Sequence, residues 1–137
     1  MQRRILSVIT IVLVLGIYSF LNSSLFFVDN PEWEGLKYIE LEELELWTGF
    51  VPQNVFRIDR KDLAEQITSY TWVKDIDVNW TWPNHLLISV KERRPIALVP
   101  VAESWFILDD EGNLLPPPTG GMDLYALPLI TNANLDD

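Results

Sequence analysis

The residues of this 137-residue chain with chemistry to offer are one histidine, twenty carboxylates and no cysteine. His85 stands in the turn Trp82-Pro83-Asn84-His85 with no carboxylate or cysteine at ligand spacing, so it reads as a surface turn residue rather than a base or metal ligand. Asp109-Asp110-Glu111 resembles a cation loop only in composition. Gly112-Asn113 follows at once, and a hairpin turn explains the run without the alternating ligands that Ca²⁺ requires. No G-x-S-x-G, P-loop or H-E-x-x-H occurs. A hydrolase built on clustered carboxylates would need two acids converging in a concave pocket, and no pair in so acidic a chain is singled out for that work. The sequence therefore predicts no catalytic residue, no metal and no cofactor. The polar groups left are suited to recognition. Asp75, Asp77, Asn79 and Thr81 alternate with Ile76, Val78 and Trp80, which places two carboxylates, an amide and a hydroxyl on the wet face of one strand. If that strand lies at a sheet edge, a partner can add a strand to it.

Several elements must hold such a strand. After Trp82-Pro83-Asn84, Leu86, Ile88 and Val90 alternate with Leu87, Ser89 and Lys91, which predicts a hairpin with the strand before it. Upstream, Leu41, Leu44 and Trp47 are spaced three apart among Glu40, Glu42, Glu43 and Glu45, the pattern of a short amphipathic helix with a solvated acidic face that Gly49 ends. Asp59 is placed to cap a second helix, with Asp62 in its first turn and Leu63 and Ile67 on one face. Leu25 to Gly35 reads as a first strand, interrupted near Asn30-Pro31. The order strand, helix, helix, strand, strand predicts an α+β domain in which two helices cover one face of a three-stranded sheet and the other face stays polar. Trp47, Trp72 and Trp80 fall at core positions, Trp33 near the membrane exit is suited to an interface anchor, and Trp105 is expected to be exposed.

The run from Ile5 to Leu21 is almost unbroken in its apolar character, and Leu25 to Val28 can extend it to the roughly twenty residues that cross a bilayer. Arg3 and Arg4 precede it and Asp29, Glu32 and Glu34 follow, so the positive-inside rule leaves residues 1–4 in the cytoplasm and the remainder outside. A cleaved signal peptide is the competing reading, but large apolar residues return where a peptidase needs small ones. Past Val28, eight basic residues face 20 acidic ones, a net charge of −12, which argues against binding a nucleic-acid backbone. Without cysteine, the exported part is held by its core alone.

Beyond Pro95, Ile96 to Val99, Ser104 to Leu108 and Leu114-Leu115 predict short strands separated by Pro100 and by the turn 109–113. Together these features resemble a POTRA domain of the FtsQ/DivIB family. The residues that carry the likeness are Phe56-Arg57-Ile58-Asp59, then Trp72-Val73, Ile76, Val78, Trp82-Pro83-Asn84, Leu86, Ile88, Val90, Glu92-Arg93, Pro95 and Ala97. Glu92 shares the core parity of the three aliphatics before it, so its carboxylate requires a hydrogen-bond or basic partner. Phe106 to Gly112 and Leu127-Pro128-Leu129-Ile130 are similar to parts of the family's β-domain. Trp80 departs from the pattern where a basic residue is frequent, and Thr131 where glycine is usual.

The resemblance implies four segments: a cytoplasmic tail over 1–4, a transmembrane anchor over 5–24, a POTRA domain over 25–95 (β-α-α-β-β), and over 96–137 the start of a β-strand-rich second domain, truncated or reduced. It implies a non-enzymatic, single-pass scaffold of the septum in the cytoplasmic membrane that links early and late division proteins. Its partners would be the small bitopic proteins FtsB and FtsL, with FtsK, FtsW and FtsI in the wider assembly, and no nucleic acid or small-molecule substrate. The alternative is a POTRA-type chaperone or transport module of an outer-membrane assembly or secretion system, which shares the order of elements.

Overall fold

The apolar run forms a single helix, α1 (Gln2–Leu21), in a computed structural model that describes residues 2–130. Twenty residues at 1.5 Å each give about 30 Å, the thickness of a bilayer's hydrocarbon core. None of its side chains is buried, as expected of a helix apolar enough to be covered by lipid. It begins before the two arginines and stops at Leu21 rather than at residue 24. Asn22 turns its amide back onto the Tyr18 carbonyl, and Asn54 of the following domain donates to the Leu21 carbonyl at 2.8 Å. The apolar residues beyond do not lengthen the helix. Phe26 and Val28 are 1% exposed and belong to the core of the domain.

The first strand is two pieces, not one. A 3-10 turn over Ser24–Phe26 leads into β1 (Phe27–Val28), which pairs antiparallel with β3 (Gln53–Asn54). After Pro31, which has no N–H to contribute to a ladder, β2 (Glu32–Glu34) pairs parallel with β5 (His85–Glu92). With β4 (Val73–Thr81) antiparallel on the far side of β5, the sheet order is β2-β5-β4. Gly35 follows β2 so closely that a Cβ there would lie 2.1 Å from the Val90 carbonyl oxygen, and its φ of +86° is open to glycine alone at little cost.

Two helices cover the inner face. In α2 (Leu41–Thr48) the buried positions are Leu44 and Thr48, and Gly49 closes the helix in the left-handed region at φ +54°. Leu41 and Trp47 stay about half exposed, because the acidic helix turns only a narrow stripe inward. Trp47 instead stacks edge-on against Tyr70 and bonds the Gln66 carbonyl on the second helix. That helix, α3 (Arg60–Thr68), is capped by Asp59, whose carboxylate accepts from the Lys61 and Asp62 N–H groups, and it buries Leu63 and Ile67. Trp72, Val73, Leu86, Ile88 and Val90 complete the layer. Trp33 is not an interface anchor: its place opposite Ile88 turns it onto the core.

A second sheet, β6 (Pro95–Val101), β7 (Ser104–Asp109) and β8 (Leu114–Leu115), is an antiparallel meander. Pro100 does not divide it. The residue pairs with Trp105 inside β6 on an edge strand, where a missing N–H breaks no ladder bond. Leu98, on the same outer side, exchanges bonds with Pro128 and Ile130, so the segment 128–130 partly covers that edge. Ile107 and Leu115 are buried in the same cluster as Trp72 and Ile88, and the Trp72 indole donates to the Pro116 carbonyl. The two sheets therefore share one continuous core. Trp105 is 48% exposed and Trp82 67%. Thr131 lies outside the described residues.

Candidate partner-binding site

The strand carrying Asp75, Asp77, Asn79 and Thr81 is the outer strand of its sheet. All four side chains are exposed, while Ile76, Val78 and Trp80 face the helices and are partly buried. Across the ladder they stand opposite Lys91, Ser89, Leu87 and His85, and Glu32 and Glu34 continue the same surface on β2. Its charge is mostly negative. Asp77 accepts a bond from the Asn79 amide at 2.8 Å, and Glu32 meets the His85 ring at 3.2 Å in an exposed pair.

The orientation of the free backbone follows from one contact. The Ile76 N–H is taken by the Asp75 carboxylate at 2.9 Å, not by β5, so in the alternating antiparallel pattern Ile76, Val78 and Trp80 turn their N–H and C=O groups away from the sheet. Apart from the Ile76 N–H, these are the groups that an added strand would bond. The bulge between Val73 and Asp75 marks where regular pairing begins, and the turn at Trp82 and Pro83, with the Trp80 indole donating to the Pro83 carbonyl, marks where it ends.

Two carboxylates fix the inner end of this hairpin. Glu92 accepts from three successive backbone N–H groups, those of Lys37, Tyr38 and Ile39, at 2.8 to 3.1 Å. Its partner is thus a nest of amides and not a basic side chain. Asp109 is fully buried and accepts from the Arg93 guanidinium at 3.0 Å, from the backbone of Glu111 and Asn113, and from the Asn113 side chain. Burial alone would raise its pKa, but these bonds outweigh that and hold the carboxyl at about 2. Arg93 also bonds Glu111 at 2.9 Å and the Thr71 carbonyl, and Lys74 of β4 pairs with Glu111 at 2.9 Å. The hydrogen bond from Lys74 is the main cause that lowers the Glu111 pKa and raises that of Lys74. The acidic turn is therefore a clamp that ties the second sheet to the start of β4. Sequence reading found the turn but not the clamp, although Arg93 beside Glu92 and an Asp three residues before a glycine are both visible signals. Among the described residues, no group of three or more His, Asp or Glu is arranged to hold a metal.

The signature residues lie where their parity requires: Trp72, Val73, Leu86, Ile88 and Val90 inside, Trp82 and Pro83 at the hairpin tip, and Pro95 at the start of β6. Residues 38–93 match the model of the POTRA domain, FtsQ-type. The chain is 28% identical over 124 residues to the cell division protein FtsQ of Geotalea daltonii, covering 89% of this chain and 44% of that protein. It is 26% identical over 121 residues to FtsQ of Corynebacterium glutamicum, covering 85% and 54%. Over a shorter stretch of 82 residues it is 32% identical to FtsQ of Coxiella burnetii, 59% of this chain and 32% of that one. The chain thus spans about half the length, or less, of the curated relatives it matches. Residues 38–93 form an FtsQ-type POTRA domain, and over most of its length the chain is similar to proteins named cell division protein FtsQ.

Proposed function

We propose that the chain is a single-pass scaffold of the division machinery, held by α1 with its N-terminus in the cytoplasm, that gathers other division proteins on the outer side of the membrane. The observation that carries this reading is β4. It is an edge strand whose outward backbone groups, the N–H groups of Val78 and Trp80 and the C=O groups of Ile76, Val78 and Trp80, are flanked by Asp75, Asp77, Asn79 and Thr81. A partner strand would take its affinity from the backbone and its register from those four side chains. Small bitopic proteins of the FtsB and FtsL kind are the expected partners, with FtsK, FtsW and FtsI in the wider complex. The segments assigned to this work are the anchor, the POTRA domain over 25–95 and the β-domain that begins at 96. The scaffold performs no chemistry of its own.

The test is capture of the full membrane protein in mild detergent, with Val78→Pro as the variant. Proline removes an outward N–H and keeps an apolar side chain at an edge position, so the domain should fold while strand addition is blocked. Recovery of small bitopic division proteins by the parent and their loss in Val78→Pro is the expected result. Equal recovery by both would move the contact off β4, and recovery of outer-membrane barrel components alone would favour an assembly or secretion module.

A further inference from the structure

Around the end of α1 an aromatic collar is left open to the outside. Phe20, in the last turn of the helix, packs edge-on against the buried Phe26 at 5.4 Å between centroids, and Phe26 in turn touches Phe56 at 5.1 Å and Trp82 at 6.1 Å. Phe56 is 52% exposed, Trp82 67% and Leu25 55%. These are large apolar surfaces, no more exposed than Leu46 and Val51 elsewhere in the domain but clustered, whereas those two stand apart in sequence from the helix end. They come from three separate places in the sequence and converge on one spot, the point where the helix ends.

The domain does not hang there on a free linker. Asn54 bonds the Leu21 carbonyl, Arg57 reaches the Asn22 side chain at 3.3 Å, and Asn84 at the hairpin tip bonds the Phe27 carbonyl. Phe56 and Trp82 are thus held within about one aromatic ring of Phe26, beside the last helical turn. If α1 spans the bilayer, that is the depth of the lipid headgroups, where tryptophan and phenylalanine are stabilised with an apolar body inward and an edge in water. Charge agrees. Residues 56–61 contain Arg57, Arg60 and Lys61, three of the eight cations beyond Val28, against one acid. That acid, Asp59, is occupied in capping α3, and Lys61 is shared with Glu65 at 3.7 Å.

We infer that this collar is a lipid-docking surface: Leu25, Phe56 and Trp82 enter the headgroup region of the outer leaflet, and Arg57, with Arg60, contacts lipid phosphate. The inference rests on the reading of α1 as a membrane span. Docking would fix the tilt of the POTRA domain and hold β4 at a set height above the membrane, since β4 ends one residue before Trp82.

The absence of cysteine makes single spin labels clean. The full chain would be placed in phosphatidylcholine–phosphatidylglycerol nanodiscs with labels at Val12→Cys, Phe56→Cys, Trp82→Cys and Asp75→Cys, the last roughly 20 Å back along the strand from Trp82. Collision with oxygen and with a water-soluble nickel complex would then be compared. The expected result is oxygen-rich, nickel-free collision at Val12, several-fold lower nickel access at Phe56 and Trp82 than at Asp75, and recovery of nickel access at Trp82 on adding Arg57→Glu. Equal nickel access at Phe56, Trp82 and Asp75 with Val12 still shielded would overturn docking and leave the span intact. Nickel access at Val12 itself would overturn the span, and docking with it.

Discussion

Glu92 and Asp109 were not equally visible from sequence. Glu92 stands on the core parity of β5, so its need for a partner could be read from alternation alone. That the partner is the amide nest of residues 37–39 could not, because it depends on where a loop some fifty residues away passes. Asp109 looked like an ordinary turn residue, and its burial comes from the packing of two sheets that no local pattern encodes. Glu92→Ala would leave those amides without an acceptor and should cost about 1–3 kcal/mol, measured by urea unfolding of the part beyond α1. Asp109→Asn sets an amide against the donors of Arg93 and Asn113. It should cost about 3 kcal/mol, toward the low end for a broken buried pair because Arg93 keeps 23% exposure. The pH dependence has a definite sign. A carboxyl lowered to about 2 stabilises the fold above its unfolded value of 3.8, and that contribution is lost as pH falls from about 4 toward 2. The parent should weaken steeply in that window, and Asp109→Asn less steeply, with the remaining slope of the same sign from Glu111.

Elements with a strong period were legible: α1, α3 with its Asp59 cap, and the β4–β5 hairpin. Those that failed were short or set by neighbours. The stretch 25–35 is too irregular for one strand because Phe26 and Val28 are drawn inward while Pro31 breaks the ladder, and the narrow buried stripe of α2 leaves Leu41 and Trp47 out. At the β6–β7 turn, Ala102 has φ +53° in a two-residue loop between Val101 and Ser104, where primed hairpin turns favour glycine. Ala102→Gly should therefore raise stability by about 0.5–1 kcal/mol in thermal unfolding, the reverse of the usual effect of glycine in an ordered segment.

Across the whole molecule, sequence showed a helix long and apolar enough to cross a membrane, an acidic remainder and the POTRA order of elements, but the core continues past Pro95, where it placed a boundary. Ile107 and Leu115 pack with the POTRA residues, and Arg93, Lys74, Asp109 and Glu111 bind the same seam. Ile107→Ala, at a site with no exposed surface, should cost about 2–5 kcal/mol and do so in a single transition that takes β4 and β5 with it. A separate early transition confined to 96–130 would show two independent units. Coupling of this kind lets the second sheet hold β4, the strand proposed to face a partner, in place. The most direct measurement of that strand's role is amide hydrogen exchange on the full chain in nanodiscs, with and without the captured bitopic partners. Slowed exchange at Val78 and Trp80 with little change on α3 is the predicted result; unchanged exchange at those two amides under saturating partner would contradict strand addition at β4.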